Sequence, residues 1–376
     1  MKKVLLTFVV LQLLIPLLGL PCFAAEESDT YISESGIYES ARQLSEETKE
    51  FLNEIGLNEI TTRSVTSLDF FGVIKTVFSS FKHAFSDCVK SISVIVGCVL
   101  VSALASALCS DKREEKLYHI FHPVSVLVVA LSAALPLSKL IGEVTVSVQS
   151  AAAFSITAVP IMCVVCAAQG KTVTASLCSA GAVGISQMIN TLFSTFFMPL
   201  SNILLALGIG ASIDNSLHPE RVVKVLRKYL LILLSACALL YFTVLSVRTS
   251  VSSAVDESTV KTIKFASSNF VPVIGGAISD SAAAVAASLS VTKSTIGVFG
   301  VMSVIAVFAP AFLKLFIWLA GLELSAVLAE TFHLDSLKNS LKNLADALTV
   351  LVVIMFFCMM IFLINFGVLL GLRGPV

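Results

Sequence analysis

The residues most able to do chemistry lie in an otherwise apolar part of the chain. Asp280 is the only charge between Lys264 and Lys293, in a stretch rich in Ala, Ser and Gly. A carboxylate near a bilayer centre costs roughly 2.5–3.5 kcal/mol on insertion scales, which is tolerated where the group is paired or faces water. Asp280 and Lys293 are therefore candidate functional residues. At ~100° per residue on an unbroken helix they would stand ~140° apart around its axis, so direct pairing needs a turn between them. The surrounding segment, 265–292, also holds Asn269, Pro272, Gly275 and Gly276. Pro and Gly interrupt helices, and two readings stand. One is a re-entrant or broken helix lining a polar cavity. The other is an amphipathic hairpin on the outer surface. Gly297 and Gly300 follow and would permit close packing.

Other motifs carry less. Gly170-Lys171-Thr172 resembles the end of a phosphate-binding loop, but Val165 stands where the earlier glycine is required. Cys163 and Cys166 form a C-x-x-C inside an apolar span, without a second ligand pair, and read as buried thiols. His119 and His122 are too few for a metal site. No nucleophile, base and orienter assemble, and neither H-E-x-x-H nor G-x-S-x-G occurs. The chain is expected to be no enzyme and to use no cofactor or metal.

The elements that must position these residues follow from composition. Of 376 residues, 56% are apolar and only 13% charged, with mean hydropathy +0.94. Soluble domains carry about 25% charge. A soluble enzyme, a disordered tail and a disulfide-rich secreted module are excluded, and the main solvent is lipid. Lys plus Arg and Asp plus Glu are 25 each, so net charge gives no nucleic-acid signal.

A span needs ~20 apolar residues. Charged residues delimit 91–110, 117–138, 144–170, 172–213, 229–247, 294–313 and 347–372. Segment 172–213 is long enough for two spans with a break near Pro199. The expected fold is all-α and polytopic, with about eight transmembrane helices (range six to nine). Residues 315–322 could add a half-span. The basic clusters at 112–116, 221–228 and 338–342 are expected inside by the positive-inside rule, which puts Val376 outside. Ala103 and Ala107, Ala180 and Gly184, and Gly367 and Gly371 are spaced for close helix approach, most simply within the chain. Segments 150–200 and 281–310 echo each other in order, with drifting offsets that a duplication would have to explain.

The N-terminus reads as an export signal. Lys2 and Lys3 precede an apolar stretch, and small residues at Cys22 and Ala24 suit cleavage after Ala24; the alternative is an uncleaved first helix. The domains expected are a signal peptide (1–24), an acidic extracytoplasmic arm (25–68), an interfacial amphipathic helix (69–90) and a multi-span membrane domain (91–376). Residues 69–90 could instead be the first turns of a long spanning helix. In the arm, Ile37, Ala41, Leu44, Thr48, Phe51 and Ile55 form one helical stripe that Gly56 can end. Leu44, Phe51 and Ile55 are the candidate anchors, on a partner or on the chain's own membrane domain.

The run Asp280-Ser-Ala-Ala-Ala-Val-Ala-Ala-Ser-Leu-Ser-Val-Thr-Lys293-Ser-Thr-Ile-Gly297-Val-Phe-Gly300, with Ala309-Pro310-Ala-Phe-Leu-Lys314 after it, resembles the stage III sporulation protein AE family. The signal peptide, acidic arm and polytopic remainder are similar to that family along most of the chain. The resemblance adds Pro310 and Lys314 to the candidate packing or cavity residues. It implies an endospore-forming source and a multi-pass protein of the mother-cell membrane around the forespore. The implied role is a non-enzymatic subunit of a secretion-like channel complex between the two cells, needed for late forespore gene expression. The implied partners are ring-forming membrane proteins and a cytoplasmic secretion-type ATPase. A stand-alone secondary transporter with its site in 265–300 is the alternative.

Overall fold

The computed structural model describes residues 32–33, 35–42, 44–57, 60–66, 70–108, 115–169, 172–210, 225–246 and 275–371. The signal peptide and its cleavage site, and segment 265–274 with Asn269 and Pro272, lie outside the described residues. The described secondary structure is helical throughout.

Three short helices build the arm: α1 (Ile37–Arg42), α2 (Glu46–Glu54) and α3 (Thr62–Thr66). The expected single helix is broken at Leu44. There Ser45 takes an extended backbone and caps α2, accepting a hydrogen bond from the Thr48 N–H at 3.3 Å. Gly56 ends α2 as expected. Its φ of +84° lets the Leu57 N–H reach Leu52 O at 2.9 Å and its own N–H reach Asn53 O at 3.0 Å, which satisfies the last carbonyls.

The membrane domain starts with α4 (Phe70–Leu108) and α5 (Glu115–Ala168). Helix α6 (Thr172–Leu192) passes through a π turn (Phe193–Phe197) into α7 (Met198–Gly210). Helices α8 (Val225–Ser246), α9 (Gly275–Thr331) and α10 (Asp335–Gly371) complete it. Six helices among the described residues are long and apolar enough to cross a membrane. This is an all-α, polytopic membrane architecture.

Six rather than eight arises because charges did not mark loops. Segments 117–138 and 144–170, expected as two spans, share the 54-residue α5, which runs unbroken past Lys139 and Glu143. Segment 172–213 does not turn back near Pro199. Proline lacks an N–H and its ring crowds the carbonyl four residues before. The π turn just ahead absorbs this, with Met198 N–H bonding Phe193 O, and the helix continues. Helix α9 likewise passes through Pro310, so 294–313 and the suggested half-span are one element. Residues 69–90 and 91–108 are not separated by a break either, since α4 covers both from Phe70 onward.

Side-chain contacts fix the directions. Lys314 meets Glu143, and Gly297 lies against Met162, so α9 runs antiparallel to α5. Phe154 stacks on Phe366, and Arg227 pairs with Asp346, so α5, α8 and α10 run the same way. Gly208 lies against Leu344. The ends of α4, α7 and α9 and the starts of α5, α8 and α10 therefore share one end of the bundle. The described parts of the three basic segments, 115–116, 225–228 and 338–342, lie at that end. Of the two segments that echo each other in sequence, 150–200 is divided between α5 and α6–α7, while 281–310 lies within α9 alone.

Candidate functional site

The centre of the bundle is the seam where α9 lies between α5 and α10. Two glycines make it narrow. A Cβ at Gly297 would fall 2.4 Å from Leu370 Cδ2 and 2.7 Å from Met162 Cε, and one at Gly300 would fall 2.4 Å from the Phe366 ring. Helix backbones approach this closely only over residues without side chains. Gly321, which the sequence reading passed over, does the same toward α4, with Ile92 Cδ1 at 2.5 Å. By contrast, Gly184 and Gly367 have nothing within 4 Å of a built Cβ. Aromatic rings fill the seam beside the glycines: Phe154 meets Phe299 edge-on at 6.3 Å and stacks on Phe366 at 5.8 Å.

Polar groups thread this apolar seam. Lys314 Nζ sits 2.9 Å from Glu143 Oε2, with side chains 26% and 33% exposed. The ion pair joins the middle of α5 to the middle of α9. Sequence reasoning had Lys314 but treated Glu143 only as a span boundary. The signal that marked Asp280, a lone charge between apolar runs, was present at Glu143 too. Further toward the α6 side, Ser186 donates to Ser155 at 3.1 Å, both fully buried. Tyr241 of α8 donates to Asn365 Oδ1 of α10 at 3.3 Å. Asn365 Nδ2 and Ser303 Oγ are buried and find no hydrogen-bond partner. Buried groups of this kind generally take their bonds from water or a bound partner, since leaving them unmet costs ~1–3 kcal/mol.

Lys293 is buried at 5% exposure, among Ser288, Thr292 and Thr295, which are also buried. Asp280 is on α9 five residues from its start, and its side chain lies outside the described surroundings. No turn separates the two. An unbroken helix places the two positions ~20 Å apart along its axis. Of the segment 265–292, the described part from Gly275 onward is helical, as the Ala-rich run after Gly276 favours. Pro310 is half-buried, one turn before Lys314 on α9. Cys163 and Cys166 are buried in α5.

The arm anchors end up inside the protein. Leu44 and Phe51 are each 3% exposed and Ile55 is 8% exposed. Helix α1 packs on α5, and α2 and α3 pack on α9. The stripe thus covers the chain's own membrane domain, one of the two arrangements open from sequence.

These features define a polytopic helical membrane protein with a closely packed, polar-threaded core. The sequence profile of the stage III sporulation protein AE family matches residues 56–372, and the chain belongs to that family. It is 23% identical over 218 residues to stage III sporulation protein AE of Bacillus subtilis (strain 168), a match covering 58% of this chain and 54% of that protein. The match thus spans about half the length of that relative. No solved structure matches. The family's description names sporulation and no enzymatic activity.

Proposed function

We propose that this chain is a non-enzymatic subunit of a secretion-like channel complex in the mother-cell membrane around the forespore, with its N-terminal arm outside the mother-cell cytoplasm. The observation that carries this is family membership over 56–372, joined to a bundle whose interior is closed by glycine contacts at Gly297, Gly300 and Gly321. In this reading the protein is a scaffold subunit. Its partners are ring-forming membrane proteins and a cytoplasmic secretion-type ATPase, and the basic end of the bundle faces the ATPase side. The alternative is a stand-alone secondary transporter with its site in 265–300, of which the part from Gly275 onward lies on α9. The test is purification of the tagged chain from sporulating cells with identification of what comes with it. Co-purification of a secretion-type ATPase and small membrane proteins is expected. Recovery of the chain alone, with a deletion strain sporulating normally, would overturn the proposal.

A further inference from the structure

Five helices each bring one buried polar side chain to a common height in the bundle. Ser186 of α6 donates to Ser155 of α5 at 3.1 Å, and Tyr241 of α8 donates to Asn365 of α10 at 3.3 Å. Ser303 of α9 joins them. It lies between Gly300, which faces Phe366, and Phe308, whose ring meets Phe362 at 6.3 Å, so it is level with Asn365. On its other side Gly297 faces Met162 and Lys314 meets Glu143, which sets Ser303 level with Ser155 to within about one helical turn, ~5 Å. All five are more than nine-tenths buried: Ser155, Ser186 and Ser303 are 0% exposed, Tyr241 4% and Asn365 6%. The layer crosses uncharged parts of the chain. Ser155 stands near the middle of 144–168 and Ser303 near the middle of 294–313, neither of which carries Asp, Glu, Lys or Arg. Apolar side chains would fill such a place without the desolvation cost of polar ones.

The Ser155, Ser186 and Tyr241 hydroxyls have partners within the layer. Two atoms do not: Asn365 Nδ2 and Ser303 Oγ are buried without a hydrogen-bond partner. Their chemistry selects what can complete them. Nδ2 only donates, so it disfavours a cation and calls for an acceptor. An anion would lack an opposite charge close by, because Lys293 and Lys314 stand ten and eleven residues along α9 from Ser303, ~15 Å away. A buried charge without such compensation is strongly disfavoured. What remains is a neutral molecule that both accepts and donates and is small enough for a closely packed seam. Water meets all three conditions.

We propose that this layer is a water-binding site at the centre of the bundle. Water accepts from Asn365 Nδ2 and donates to Ser303 Oγ, directly or through a second water, and so ties α9 to α10 and, through Tyr241, to α8. The proposal does not rest on the sporulation reading, since it is tested on the purified chain.

The experiment is X-ray radiolytic labelling of the full chain. Water held beside a side chain is split to hydroxyl radical and oxidises that side chain even when it is buried. Tyr241 reports on the layer. Met355, 0% exposed on α10 and ten residues from Asn365, is the control away from it, although methionine is the more readily oxidised side chain. Tyr38, 37% exposed in the arm, fixes the dose. Tyr241 should be oxidised about fivefold faster than Met355, because bound water persists in the layer. Asn365→Leu with Ser303→Ala should lower the Tyr241 rate about fivefold and leave Tyr38 and Met355 unchanged, because both water ligands are gone. If the double variant fails to fold, Met355 becomes reactive as well, and the contrast between Tyr241 and Met355 in the parent decides. Oxidation of Tyr241 no faster than Met355 in the parent, or undiminished in a folded double variant, would overturn the proposal.

Discussion

Gly300→Ala adds one methyl group where the structure has no room for it. The new Cβ would stand 2.4 Å from Phe366 Cδ1 and Cε1, where real Cβ atoms essentially never sit. Phe366 cannot swing aside easily, because it is fully buried and stacked on Phe154 at 5.8 Å. Overpacking of this kind costs typically ~1–3 kcal/mol. Alanine returns up to ~1 kcal/mol of helix propensity relative to glycine. A net loss of about 1–2 kcal/mol is expected. Gly367→Ala is the internal control: it adds the same methyl to the facing helix, α10, with nothing within 4 Å, and should be neutral or stabilising by up to ~1 kcal/mol. Phe366→Leu combined with Gly300→Ala should recover part of the loss, because the smaller side chain vacates the contact. The assay is thermal unfolding of the purified protein in detergent, alongside steady-state levels in sporulating cells. If Gly300→Ala and Gly367→Ala unfold at the same temperature, the close approach of α9 to α10 is not what holds the seam.

Four further outcomes are expected. Glu143→Gln and Lys314→Gln should each destabilise by on the order of 1–3 kcal/mol, as each strands a partly buried charge, while the reversal Glu143→Lys with Lys314→Glu recovers much of the loss; equal unfolding of all four proteins would deny the pair a structural role. Leu44→Asp with Phe51→Asp should reduce protein level in the membrane, because both side chains are buried against the chain's own helices; normal levels would mean the arm is held from outside. Asp280→Asn and Lys293→Gln should leave protein levels near normal and block late forespore gene expression, and sporulation like the parent in both would show these charges to be dispensable. Cysteine labelling from outside should reach Ser35→Cys and not Ser110→Cys; reaction of Ser35→Cys only after the membrane is opened would reverse the topology.

The amino-acid order alone determined much of this protein. Its apolar content and scarce charge required an all-α membrane chain, because only helices satisfy their own backbone in lipid without closing a barrel. The run from Asp280 to Lys314 was enough to resemble the family. Gly56 marked a helix end, because its left-handed backbone is available to glycine without strain. The three basic clusters were legible as one group, and the chain directions place their described parts at one end. Tertiary structure alone decided the rest. A charge between two apolar runs looks the same whether the chain turns there or continues. Lys139 and Glu143 lie within one helix, where Glu143 is matched by Lys314 from 171 residues away. Likewise Gly297 and Gly367 are the same residue in the same kind of helix. One touches Leu370 and Met162, the other open space, because close approach depends on what the neighbouring helix presents and not on local spacing. The burial of Phe51 has the same origin: it is settled by helices distant in sequence, whose position local periodicity does not encode.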